Sequence, residues 1–193
     1  AKIQPYKENI ESLQELMSEL DVIRAKAYFA VNYNCSMPQL SKERQIYLRE
    51  FVHPVLYHHH KKQHKPIVDN TIILDDKNRI VVISGPNAGG KSIILKSVGL
   101  IQLMFQFGML IPAKENSVLS VFENLFVDIG DEQSIENDLS TYSSHLSNMN
   151  HFLSKANAKT LVLIDEMGMG TDPALGGPMA EAILENLHHK NVF

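Results

Sequence analysis

An apolar run, Ile80 to Ile83, leads directly into GPNAGGKS, Gly85 to Ser92, and from there into a helix-forming stretch. No other feature constrains the chain so strongly, because strand, glycine-rich turn and helix in that order place the turn at the carboxyl edge of an α/β sheet. Gly85, Gly89 and Gly90 let the backbone fold around phosphate groups with no Cβ in the way. Successive amide N–H groups then form an anion nest, and the helix start adds its positive end. In this G-x-x-x-x-G-K-[ST] pattern Lys91 reaches the outer phosphates and Ser92 ligates magnesium. A turn that merely joined two elements would need neither residue. The nucleotide-binding set expected from the sequence is therefore Gly85, Pro86, Asn87, Ala88, Gly89, Gly90, Lys91, Ser92 and the adjoining Ile93.

The rest of the pattern fits an α/β chain. Ile10, Leu13, Met17, Leu20, Ile23 and Ala27 recur at helical spacing and predict an amphipathic helix over residues 7–31 whose single apolar stripe calls for a partner. Pro38 and its surroundings break that pattern. Residues 45–50 read as a strand and His58 to Lys65 as a surface loop, where three adjacent histidines point in different directions and lack a carboxylate or cysteine to complete a metal shell. Residues 71–74, a turn at Asp75 to Asn78 and residues 79–84 read as a hairpin, the second arm apolar enough to be covered on both faces. Helices are expected over 91–107, 141–156 and 178–189, with an apolar strand at Thr160 to Ile164.

That strand ends in Asp165 and Glu166, where carboxylates can face a phosphate loop across the sheet edge. Asp165 would hold magnesium through water. Glu166 would orient or deprotonate the attacking water, which makes the reaction hydrolysis. Adjacent carboxylates also suit a helix N-cap pair, a reading that the phosphate loop outweighs. All four arginines, Arg24, Arg44, Arg49 and Arg79, precede the loop, so charge on the outermost phosphate must be met by Lys91, the metal or another subunit. A composite site follows.

The net charge of −4 is uneven: residues 1–66 carry 10 Lys/Arg against 7 Asp/Glu, and residues 67–193 carry 8 against 15. The basic excess is too small to argue for nucleic acid by itself, and the acidic part repels phosphate unless specific groups overcome that field. DNA contact is expected mostly outside this sequence. Cys35 has no partner for an internal disulfide, which suits a reducing cytosol. The longest apolar stretch, residues 100–111, is interrupted by Gln102, Gln106 and Gly108 and is shorter than the roughly 20 residues a bilayer requires. The start at Ala1 and the strand-like end at Asn191 to Phe193 read as a piece of a longer protein.

GPNAGGKS resembles the phosphate loop of the MutS DNA-repair ATPases. LREFVHPVL (48–56), DIGDEQSIENDLSTYSSHL (128–146) and LVLIDEMGMGTDP (161–173) are similar to the MutS2 group in particular, and the likeness runs from about residue 20 to 193. The resemblance implies a P-loop NTPase of the ABC/MutS type, a mixed sheet flanked by helices, with residues 1–40 as the end of a helical lever and 41–193 as the ATPase domain. It implies ATP and Mg2+ as cofactors and a cytoplasmic homodimer whose closure on branched or mismatched DNA is driven by hydrolysis, with no membrane role. Ser140, Thr141 and Ser143 correspond to a signature helix, N-capped by Ser140, that approaches the nucleotide of the other subunit; an ordinary capped surface helix would read the same way. Gly170, Thr171 and Asp172 correspond to a loop across the dimer interface, and Asn87 to a residue that bonds across the nucleotide. Ile67 and Val68 fall near the adenine-contacting segment, or serve the core. His188 and His189 lie one element before the family's switch histidine and read as helix-end residues. Two alternatives remain: a chromosome-maintenance ATPase of the ABC type, which would carry a leucine-serine-glycine-glycine signature where residues 139–142 read LSTY, and a non-hydrolytic ATP-dependent dimerisation module, against which Glu166 speaks.

Overall fold

The computed structural model describes residues 4–86, 89–130, 138–168 and 172–193, and for residues 5, 138–142 and 173 the backbone alone. Along the chain a 3-10 turn, Gln4–Tyr6, leads into α1 (Lys7–Asn32), β1 (Gln39–Leu40), β2 (Ile46–Phe51), α2 (Pro54–Lys62) and β3 (Asn70–Leu74). Then follow α3 (Lys91–Gln106), β4 (Val118–Leu119), β5 (Asn124–Asp128), α4 (Asp138–Lys155), β6 (Thr160–Ile164) and α5 (Pro173–His189).

The described strands form two sheets. One is mixed and four-stranded, in the order β1-β4-β2-β3, and the other is the parallel pair β5-β6. Alternation decides which face of each strand is buried. Ile46 and Leu48 of β2 are fully buried, and a register shift between Leu48 and Phe51 turns Phe51 inward as well. Helix α3 packs its apolar stripe, Val98, Ile101 and Met104, between this sheet and Leu161 and Leu163 of β6. Gly99 permits that approach, because a Cβ there would stand 2.8 Å from Cδ1 of Leu163. The opposite face of β6, Val162 and Ile164, meets Met149 and Phe152 of α4 and Ile183 and Leu187 of α5. Strand β6 is thus covered on both faces, as its unbroken apolar sequence requires. Gln102 and Gln106 interrupt the apolar stretch of α3 for a reason. Gln102 Nε2 donates to the carbonyl of Ser120 at 2.8 Å, and Gln106 Oε1 accepts from the Phe122 N–H at 2.8 Å, which ties α3 to the link between β4 and β5.

Among the described residues, helix α1 meets the body through its C-terminal part. Ala30 is buried, Phe29 packs on the core, and Lys26 Nζ donates at 2.7 Å to the Phe107 carbonyl at the end of α3. The apolar stripe ahead of it stays exposed, with Leu13 at 57% and Met17 at 69%. No helix among the described residues is long and apolar enough to cross a membrane.

Four expectations are corrected. Residues 79–84 belong to no strand, and Ile80, Val81 and Val82 are exposed rather than covered on both faces, so the hairpin has only its first arm and its turn, where Asp75 Oδ1 accepts from the N–H groups of Lys77 (2.9 Å) and Asn78 (2.7 Å). Arg79 donates to the Asp76 carbonyl and lies beside His188 of α5, which leads the segment away from β3. Across from it, β6 gives one edge to β5 and, on the other, exchanges hydrogen bonds with Phe193 at 2.8 and 3.1 Å. Of the loop expected over 58–65, residues 58–62, with all three adjacent histidines, belong to α2, which is started by Pro54 at a position where proline's missing N–H costs nothing, and only 63–65 lie outside it. Helix α5 begins at Pro173 rather than Pro178, because the Asp172 carboxylate caps it by accepting the Ala174 N–H at 2.9 Å. Finally, Ser140 lies inside α4, which starts at Asp138, and is therefore not its N-cap.

Candidate nucleotide site

A cavity of about 560 Å³ separates residues 79–84 from β6, and Gly85 and Lys91 share its wall with Asp165 and Glu166. The loop side is shaped by two glycines in backbone conformations that L side chains rarely adopt, Gly85 at φ +149° and Gly90 at φ +83°. Among the described residues no atom outside their chain neighbours lies within 4 Å of where a Cβ would stand at either, which leaves space beside both glycines. Between them the Gly89 N–H donates to the Pro86 carbonyl at 2.9 Å and tightens the turn. Gly90 is the residue before the first turn of α3, and Lys91 opens the helix. The Lys91 ammonium folds back over the loop and donates to the Gly85 carbonyl at 2.6 Å. Phosphate oxygens are stronger acceptors for that cation than a carbonyl is, so the lysine is already aimed at the anion the loop would hold. Ser92 is half-buried on the same turn and Ile93 is exposed.

The acidic side is built on the end of β6. Asp165 is 8% exposed; its N–H donates at 2.9 Å to the carbonyl of Asp128 on β5, and its Oδ1 accepts the Glu166 N–H at 3.1 Å. Glu166 turns the chain through φ +53°, a strained value for any residue but glycine, and its side chain is exposed. Gly168, at φ +84°, completes the turn beneath the backbone of Gly176 in α5. These features meet what magnesium and a triphosphate require: an open glycine cradle, an ammonium over it, a hydroxyl on the first helical turn and a carboxylate pair on the shared wall.

Asn87, Ala88, Gly170 and Thr171 lie outside the described residues. Ser140 and Thr141 fall on the first turn of α4 and Ser143 is exposed one turn on. Asp172 is the cap of α5. Ile67 and Val68 are both exposed between α2 and β3, which excludes the core role. His188 and His189 are exposed on the last turn of α5. The arginines serve the fold: Arg44 donates to the carbonyls of Ala158 and Asn191 and pairs with Asp76, and Arg49 lies over the Tyr47 ring.

Sequence reasoning missed a buried polar cluster beside the acids. The Asp128 carboxylate accepts from His145 Nδ1 at 2.7 Å and from Asn148 Nδ2 at 2.8 Å. A signal existed, since Asp128 closes the apolar run Leu125 to Val127 and the two donors sit one helical turn apart.

Residues 81–192 match the MutS domain V family. The chain is 45% identical to the protein named endonuclease MutS2 of Pediococcus pentosaceus over 97% of its own length, and 44% identical to that of Clostridium botulinum over 98%. A protein of the same name from Levilactobacillus brevis is 41% identical over 97%. The chain spans 23% of the length of each of these relatives.

Proposed function

We propose, from the premise that this chain belongs to the MutS family and is of its MutS2 type, that it binds and hydrolyses Mg-ATP as the engine of a longer DNA-acting protein. The observation that carries the reading is the single cavity whose wall brings the glycine loop and Lys91 together with Asp165 and Glu166. Backbone N–H groups of the glycine loop, Pro86 having none, and the Lys91 ammonium would hold the phosphates, and Ser92 and Asp165 would hold the metal. When bound, magnesium neutralises charge on the β and γ phosphates. Glu166 orients the attacking water and takes its proton, and the exposed position of its side chain leaves it accessible to that water.

In the parent protein two copies close on each other. Ser140, Thr141 and Ser143 on the front of α4 serve the partner's nucleotide, in place of an arginine, and the segment Gly170 to Asp172 crosses the interface. Residues 1–40, most of them in α1 (Lys7–Asn32), carry the motion as a lever toward regions that hold branched or mismatched DNA in the cytoplasm. The exposed stripe of α1 supports this, since a helix with an apolar face half in solvent is built to lie against another element. The chromosome-maintenance alternative is not favoured by the family match.

The test is phosphate release by the parent protein and its Glu166→Gln variant. Loss of the general base lowers turnover by about 10²-fold or more, while a fluorescent ATP analogue still binds. Equal rates in the two proteins exclude Glu166 as the catalytic group, and absence of phosphate release from the parent protein refutes the hydrolase reading.

A further inference from the structure

Asp128, the last residue of β5, is a buried carboxylate at 5% exposure, in a region where β5, α4 and α5 otherwise meet through apolar side chains such as Phe126, Met149 and Phe152. Burying a charge there costs free energy that a hydrophobic residue of similar size would not. The polar group is satisfied from one direction, because His145 and Asn148 both donate to it from the same face of α4. An ionised carboxylate only accepts, so the Nδ1 of His145 carries a proton and the ring's other hydrogen-bonding atom is Nε2. The backbone at Gly130 closes over that edge of the ring; a Cβ there would lie 3.5 Å from Nε2.

Two links join this cluster to the acids at the end of β6. The Asp128 carbonyl accepts the Asp165 N–H, which sets the two aspartates side by side on paired strands. In addition, His145, Asp165, Glu166 and Gly168 line a second cavity of about 20 Å³. That volume holds one water, which needs roughly 10–15 Å³ and two to four polar partners.

We propose that His145 is a positioning residue for Glu166: Asp128 fixes the imidazole, and Nε2, through one water in this cavity, holds the Glu166 carboxylate in the direction from which it meets the attacking water. The inference rests on the reading of Glu166 as the hydrolytic base. It explains why an exposed glutamate on a strained turn has a rigid polar neighbour behind it. A long carboxylate side chain left to its own rotamers spends most of its time away from the reactive geometry, and misplacement by about 1 Å costs up to 10²-fold in rate.

Two variants of the parent protein separate positioning from packing. His145→Asn keeps an amide donor near the Nδ1 position and leaves nothing at Nε2, whereas His145→Gln reaches the Nε2 position. His145→Asn is expected to melt close to wild type yet turn over about tenfold more slowly, with the KM for ATP changed less than twofold. His145→Gln retains more of kcat than the Asn variant. In a Glu166→Gln background His145→Asn causes no further loss, because the group it acts through is gone. The proposal is overturned if His145→Asn turns over like wild type, if Gln is the slower of the two, or if the tenfold loss persists without Glu166. Should His145→Asn unfold, the same comparison is made with His145→Gln, where an unchanged rate combined with early melting shows a packing role alone and overturns the proposal. A Glu166→Gln variant as fast as wild type sinks the reading of Glu166 as the base, on which the proposal rests; a slow Glu166→Gln beside an unaffected His145→Asn sinks only the positioning role.

Discussion

Gly168→Ala tests how closely the turn carrying Glu166 is set by the helix behind it. Gly168 sits at φ +84°, and a Cβ there would stand 2.5 Å from the carbonyl oxygen of Gly176 and 2.9 Å from its carbon, both backbone atoms of α5. The left-handed conformation costs an L residue about 1–2 kcal/mol. Relieving the contact to an ordinary carbon–oxygen distance of about 3.3 Å requires a shift of roughly 0.8 Å. The turn has nowhere to go except away from α5, and Glu166 moves with it. Overpacking of this kind adds about 1–3 kcal/mol. The two costs together come to about 2–5 kcal/mol, so the variant of the parent protein is expected to melt roughly 4–20 °C lower in the transition of this domain, at about 2–4 °C per kcal/mol. Its kcat falls about 10–10²-fold, as expected for a base displaced by nearly 1 Å. Gly177→Ala is the internal control, since no atom lies within 4 Å of its Cβ position and it lies within α5. Alanine there gains up to about 1 kcal/mol of helix propensity, which the crowding of its Cβ against the ring of the following Pro178 offsets, so the melting point changes little. Differential scanning calorimetry and phosphate release read both effects. A Gly168→Ala protein with wild-type melting and turnover, or a Gly177→Ala protein equally damaged, refutes the reasoning.

Two further predictions concern titrating groups away from the site. Burial pushes the Cys35 thiol from 9.0 up to about 11; at pH 8 its thiolate fraction is about a hundredfold below that of an unfolded chain, so iodoacetamide should label it about a hundredfold more slowly until urea is added. His53 titrates below 6.5 because burial, and then the charge of Lys96, disfavour its protonated form. A depressed folded value means that its contribution is present above pH 6.5 and is lost as pH falls, since the unfolded chain takes up a proton the native state refuses. The urea midpoint should therefore fall between pH 7.5 and 5.5 by more in wild type than in His53→Asn; equal falls would show that His53 plays no part.

What the sequence alone determined was whatever is written contiguously. The apolar period of residues 7–31 became α1 to within a residue, and α3 and β6 lie where their patterns put them. The phosphate loop was legible because its chemistry is local: its glycines, lysine and serine fall within eight consecutive residues, and the conformations Gly85 and Gly90 adopt are those that glycine alone takes at little cost. Asp165 and Glu166 were legible because an apolar strand ending in acids has few other uses. Two helix starts carry local signals that the apolar period does not report: Pro54 at the start of α2, and Asp172 with Pro173 at the start of α5, five residues ahead of Pro178.

Tertiary structure decided the rest. Ile80 to Ile83 has the composition of a buried strand, yet a ladder needs a neighbour with an available edge. Ile80 to Ile83 pairs with none of the described strands and lines the cavity instead. No period in the sequence reports that. The Asp128 cluster is non-local in the same sense, its partners lying 17 and 20 residues away on another element. Only when β5 and β6 pair, and α4 lies across them, does an unremarkable histidine come to face the acids. Backbone preference and hydrophobic period act between near neighbours and can be read along a chain, whereas hydrogen bonds between elements depend on which surfaces packing brings together.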